Sequence, residues 1–341
     1  MKKVLRALCL VLLFEACSPQ EPAPDYRPST AAGRETVYVA GASLNGNSSI
    51  ATLWKNNVPV YLTTANQGYS SAGKVFVLGS DVYVAGTEAV AASFQVARIW
   101  KNGVGTTLSD PNIKGGASDV FVSGNDVYVS GYEIIGGYYK ARLWKNGLSI
   151  PLPIGTQHSI AYCVYVSGND VYVGGYTTTS SPLGNASLPT IWKNNIPIYY
   201  TNIINGNTIN SIAVSGSDLY AAGSANGSGY IWKNGIATSI PNSGELFSVF
   251  VNGNDVYTAG DYINNSQGYS GVWKNGVANQ LPNNNPGLAY SVYVRGTDVY
   301  VAGSDGWIAN NPIPKYWKNG VGTTLNTSYT YGVAESIFVT P

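Results

Sequence analysis

The chain has 341 residues, of which 11% are charged and 44% hydrophobic, and its formal net charge is +1. Nucleic acid is an unexpected partner for such a chain, because its binding rests on surplus positive charge that neutralises phosphates. Of 19 lysines and arginines, seven sit in a repeated Trp-Lys-Asn element and three in the first six residues, so no basic patch is left over. Cys163 is the one cysteine beyond the N-terminal Cys9 and Cys17, and His158 the one histidine, too few for a disulfide framework or a three-ligand zinc site.

Residues 1–16 read as an export signal. Met1-Lys2-Lys3 and Arg6 supply the positive start, and Ala7 to Phe14 an apolar core too short to cross a bilayer. Phe14-Glu15-Ala16-Cys17 resembles the bacterial lipoprotein cleavage box, with Glu15 departing from its usual small or apolar residue. The resemblance implies a lipid on Cys17, and Ser18 after it resembles an outer-membrane sorting position. Cleavage by an ordinary signal peptidase, leaving Cys17 as a free thiol, is the alternative. Residues 17–34, with Pro19, Pro22, Pro24 and Pro28, read as an extended tether. Contact with the membrane is expected through the lipid anchor alone.

From residue 35 to 341 the sequence repeats. Trp-Lys-Asn recurs at Trp54, Trp100, Trp144, Trp192, Trp232, Trp273 and Trp317, at spacings of 46, 44, 48, 40, 41 and 44 residues. Periods in the forties built of short strands predict a β-propeller with one repeat per blade. Each unit offers four β-rich runs: an apolar inner run such as Val164-Tyr165-Val166, an Asp-Val-Tyr-Val run ending in Gly, the run closing on Trp-Lys-Asn, and a short last run such as Val58 to Leu62. Gly-Asn-Asp or Gly-Ser-Asp joins the first two. Lys-Asn-Gly joins the last two at Asn102, Asn146, Asn234, Asn275 and Asn319, and both connections suit tight hairpins. The domain opens on a second strand at Thr36 and ends on a first strand at Ser336 to Val339, so the C-terminal strand should complete the N-terminal blade. The expectation is an all-β, seven-bladed propeller of four-stranded antiparallel blades, closed in this way.

The order of inner strand, Gly/Asp turn and Val-Tyr-Val strand resembles the YVTN-type and NHL-type propellers, mostly binding and scaffolding modules. The Trp-Lys-Asn-Gly element is foreign to them, and no functional residue is carried over.

Candidate chemistry is sparse. His158 lies in a variable loop with no nucleophile elbow around it and reads as solvated. Asp81, Asp126, Asp170, Asp218, Asp255 and Asp298 share one turn position and are expected to bond the turn backbone. The remaining acids, Glu245 among them, form no motif. Cys163 stands where Ser211, Ser248, Ser291 and Ser336 stand in other units, a small-residue slot rather than a reactive thiol. The tryptophans are expected to fill the wedges between blades. The glycines ending the second run, Gly41, Gly86, Gly131, Gly175, Gly223, Gly260 and Gly303, read as bends or close backbone contacts.

Strand order puts the uniform turns on one face of the disc and the variable connections on the other, where function is expected. Tyr162, Phe247 and Tyr290 come just before the inner run, Tyr69 and Tyr331 a few residues earlier, and the non-repeat Trp307 in a variable connection. These rings, with neutral amides nearby, are the candidate ligand-binding residues. The expected function is a non-catalytic binding module for a neutral glycan or protein ligand, on a monomeric envelope or surface lipoprotein without cofactor or metal. The alternatives are a polysaccharide-acting hydrolase or lyase using acids such as Glu133, Asp261 or Glu335, and a purely structural envelope component.

Overall fold

A computed structural model describes residues 35–46, 48–64, 68–91, 94–153, 158–181, 184–200, 208–282, 285–306 and 311–341. Cys17, the tether and Trp307 lie outside these residues. Seven four-stranded antiparallel sheets form the blades. The C-terminal strand Tyr331–Thr340 pairs with Thr36–Asn45, so the first blade is made of both chain ends and the ring is closed as the repeat count requires. Numbering blades from that one, the inner strands of blades 2 to 7 are Ser71–Leu78, Gly115–Ser123, Ser159–Ser167, Thr208–Ser215, Ser243–Asn252 and Gly287–Arg295.

The hairpins between third and fourth strands follow from their asparagines. Asn102 and Gly103 have φ of 52° and 83°, both in the left-handed region that a tight hairpin turn demands. Asn56-Asn57 and Asn194-Asn195 meet the same demand without glycine, at φ of 48° and 66° and of 49° and 68°. Asparagine tolerates that region better than any branched residue would.

On this face the shared aspartates bond side chains across the hairpin rather than the turn backbone, which corrects the sequence expectation. Asp81 Oδ1 accepts from Asn102 Nδ2 at 2.8 Å, and its other oxygen meets Lys101 Nζ at 2.7 Å. The Asn102 amide oxygen in turn accepts the Val82 N–H at 2.9 Å, and Lys101 stands over the Tyr83 ring at 5.1 Å. The same Asp–Lys pair recurs in blades 3 to 7 at 2.7–2.8 Å. The lysine and asparagine hydrogen bonds hold these six carboxyls below their ordinary range. The pairing was hidden because partners 15 to 23 residues apart meet only once register is known.

The tryptophans fill the blade interfaces, as expected. All seven are at most 1% exposed. Each apolar cluster joins one of them to its own blade and the blade before, as Trp192 packs on Tyr128, Leu143 and Leu152 of blade 3 and on Val164 and Val173 of its own. Several indole N–H groups also donate to the chain leaving the preceding blade: Trp192 to the Pro153 carbonyl at 2.6 Å, Trp273 to Pro241 at 3.1 Å and Trp317 to Pro282 at 3.2 Å.

The opposite face differs from blade to blade through its strands as well as through its fourth-to-first connections, which run from three residues (240–242) to nine (62–70). Second and third strands are two residues apart in six of the seven blades, while the second strand runs from eight residues (Asp218–Ala225) to twelve (Asp170–Ser181). Thr36 opens a second strand, so the chain enters the domain on the uniform face, away from these projecting hairpins.

Candidate functional site

Every inner strand carries a bulge at the same place. Pairing with the second strand skips one residue at this place in each blade, Gly73, Ser118, Tyr162, Asn210, Phe247, Tyr290 and Glu335, and blade 6 has a second irregularity at Gly244 and Glu245. A bulged residue is released from the ladder and its side chain re-aimed. All seven line one cavity of about 570 Å³ at the mouth of the central channel, on the variable face.

The strand-two glycines make this bulge possible. A β-carbon on Gly175 would lie 1.9 Å from the Ile160 carbonyl oxygen, and the six equivalents meet a carbonyl at 1.9–2.2 Å. Close backbone approach, one of the two readings offered by the sequence, is therefore their role. Gly175→Ala should force the bulge apart and lower the unfolding free energy by about 1–3 kcal/mol, the usual cost of overpacking. Urea denaturation checks this, and an unchanged midpoint would break the link between glycine and bulge.

One residue further along, a belt ties the blades together. Ser211, Ser248, Ser291 and Ser336 each accept the inner-strand N–H of the next blade, from Val249, Val292, Ile337 and Val75, at 3.0–3.3 Å. Lys74 offers no acceptor in its slot, and Asp119 compensates by accepting from both Val120 (2.7 Å) and Val164 (3.0 Å). Burial pushes the Asp119 carboxyl up, with the Lys74 charge opposing. Cys163 fills the corresponding slot in blade 4, and burial likewise pushes its thiol up, away from the reactive thiolate. Towards the uniform face, Phe76, Phe121, Tyr165, Phe250, Tyr293 and Phe338 follow, with centroids of contacting neighbours 4.8–5.3 Å apart. Only Ala213, between Tyr165 and Phe250, interrupts this aromatic belt.

The mouth is asymmetric. Gly73 and Ser118 leave one sector low, and across the ring stand Asn210, Phe247 and Tyr290, the last two with ring centroids 5.1 Å apart. Its charged side chains are Glu245 and Glu335, with no lysine, arginine or histidine in the lining. Glu245 accepts from Asn210 Nδ2 at 2.8 Å, and Glu335 from the Ser71 hydroxyl at 2.5 Å. Burial pushes the Glu335 carboxyl up to about 7, the Ser71 hydrogen bond opposing. Burial raises the Tyr290 hydroxyl too, with Glu335, Glu245 and Asp261 adding to it.

Of the candidate residues, Tyr162, Phe247 and Tyr290 are brought together in the mouth. They belong to the inner strands, not to loops before them. Tyr69 stands outside it, 57% exposed, its carbonyl accepting from Gln95. Tyr331 borders two smaller cavities, one beside Asn285 and Asn311 and one beside Leu44 and Tyr329. Gly73, Ser118, Asn210 and Glu335 were missed as site residues, although they occupy the same slot of the repeat as the three rings that were found. Of the acids named for catalysis, Glu133 is buried against Arg142 at 2.6 Å, and only Glu335 lines the mouth. Asp261 lies behind, against Gly244 and Gly268, its carboxyl raised to about 6 by burial and by Glu245. His158 is not a solvated loop residue: it lies partly buried beside Tyr138 and Tyr139 and accepts the Tyr139 N–H at 3.3 Å. Among the described residues no three His, Cys, Asp or Glu side chains converge as a metal site would require.

No protein-family model and no curated protein sequence matches the chain. Among solved structures, the fold is similar to a puromycin-hydrolysing peptidase of Mycobacterium tuberculosis (11% identity, TM-score 0.55), matching 85% of this chain and 53% of that one. The chain therefore spans about half the length of that relative. The β-propeller domain of the Trilobed protease from Pyrococcus furiosus is similar over 86% of this chain and 93% of its own (12% identity, TM-score 0.51). That domain is described as having an open velcro topology, whereas here the C-terminal strand closes the ring. At such identities the likeness is one of fold, a seven-bladed propeller shared with peptidase propeller domains.

Proposed function

We propose that the chain is a non-catalytic binding module of the cell envelope or surface, anchored through a lipid on Cys17, whose ligand enters the channel mouth on the variable face. One observation carries this reading: the repeat is uniform where it packs, yet the seven bulges that converge on the mouth hold six residue types, tyrosine alone recurring. A packing position tends to repeat, as the tryptophans do; a position that changes in nearly every blade suits recognition of an asymmetric ligand. Aromatic rings beside Ser71, Thr87, Ser118, Thr208 and Asn210 suit the faces and hydroxyls of a glycan, and the cavity is of ordinary ligand-site size. The tether would join the domain on the uniform face and leave the mouth turned away from the membrane.

Glycan-array binding of the full chain tests this. The double variant Phe247→Ala, Tyr290→Ala is expected to lose at least about tenfold in affinity for the glycans found, since two central aromatic contacts are removed. Blank arrays, or binding unchanged in that variant, would sink it. The polysaccharide-acting enzyme alternative has Glu335 and Glu245 as its pair in the mouth. Turnover of a bound glycan, lost in Glu335→Gln, would replace the binding reading with that one.

A further inference from the structure

We infer that the mouth selects a glycan carrying a free amino group: a hexosamine unit with its ring face on Phe247 and Tyr290 and its ammonium between Glu335 and Glu245. This rests on the reading of the mouth as a glycan site and makes the ligand cationic rather than neutral.

The charge balance of the cavity points there. Its lining brings two carboxylates and no basic side chain, and the partners of those carboxylates there are neutral hydroxyls and an amide. Tyr290 of blade 7 stands between blade 6, which brings Glu245, and blade 1, which brings Glu335, and both carboxylates line the same cavity as its ring. Ring faces add their own attraction for a cation, strongest where water is displaced. Burial keeps the Glu335 carboxyl near half-protonated at neutral pH, and a cation arriving in the mouth would restore its charge.

A metal ion fits less well, since among the described residues no three acidic, His or Cys side chains converge. A peptide added as a strand also fits poorly. The inner-strand N–H groups of Val75, Val120, Val164, Val249, Val292 and Ile337 already donate to the Ser/Asp belt, so that stretch of inner edge has few free donors for strand addition. Hydroxyl-rich walls and stacked rings favour a sugar instead.

The test is calorimetric titration of the full chain at neutral pH with two probes, a glucosamine tetramer and its fully N-acetylated counterpart. The free amine should bind at least about tenfold tighter, the scale of one charge-assisted hydrogen bond. The double variant Glu335→Gln, Glu245→Gln should bring the two probes to equal affinity while keeping the sugar stacking. Equal affinities in the wild type, or an amine preference that survives the double variant, would overturn the inference. If the array instead yields a neutral glycan whose binding is lost in Phe247→Ala, Tyr290→Ala, the glycan site stands and the amine falls. Displacement of the tetramer by a short free-amino-terminal peptide that binds more tightly would overturn the choice of a sugar.

Discussion

Replacing Trp192 by alanine is expected to lower the unfolding free energy by about 3–5 kcal/mol, the range for emptying a buried aromatic site. The indole is fully buried and touches both blades that it separates, so neither blade can collapse into the space without moving against its other neighbour. Its N–H also donates to the Pro153 carbonyl at 2.6 Å, and truncation would leave that carbonyl without this donor. Lys193, the next residue, is 40% exposed in its side chain, and its pairing with Asp170 lies in solvent. Lys193→Ala should therefore move the thermal midpoint little. Urea and thermal denaturation of both variants decide the matter. A Trp192→Ala midpoint as close to wild type as that of Lys193→Ala would mean the repeated tryptophans are not what joins the blades.

That contrast marks what the sequence could and could not reveal. Residues doing one job in every blade were legible because repetition averages away everything else: the tryptophans, the Asn-Gly turns and the strand-two glycines each follow from local chemistry. The closure of the ring was legible from a missing first strand at one end and a spare one at the other. The site was only half legible. A bulge adds one residue that has no partner in the ladder, so Tyr162, Phe247 and Tyr290 looked like loop residues ahead of the strand. Gly73, Ser118, Asn210 and Glu335 share no chemistry with them and were passed over, although each stands two residues before the Val or Ile of its inner run. Sameness of position, not of residue type, was the signal. Pairs made by register, such as Asp170 with Lys193, stayed hidden for the same geometric reason.

Between about pH 5 and pH 8 the propeller should lose stability as pH rises, the reverse of ordinary acid denaturation. Glu335 titrates near the ordinary glutamate value of 4.5 in the unfolded chain and at about 7 in the fold, because burial in the mouth disfavours its charge. Folding therefore takes up a proton in that window. The stability tied to it is full below 4.5 and is lost as pH climbs through about 7. Each such group removes up to about 1.4 kcal/mol per pH unit while it titrates. Asp261, raised to about 6 from 3.8, adds its share at the lower end, and buried Asp119 acts in the same direction. The six turn aspartates, shifted downward, lose their contribution only below the ordinary carboxylate range and do not enter this window. Glu335→Gln removes the burial of charge and keeps the shape. It should match the wild type near pH 4 and exceed it near pH 8 by about 1–3 kcal/mol, with a flatter profile between. Thermal midpoints across the range measure this, and identical slopes in wild type and variant would show that Glu335 is not buried against its charge. A cationic ligand offers a second way to the same end. If an ammonium settles beside Glu335, saturating glucosamine tetramer should raise wild-type stability most near neutral pH, where the carboxylate has begun to ionise and the sugar amine still carries its proton.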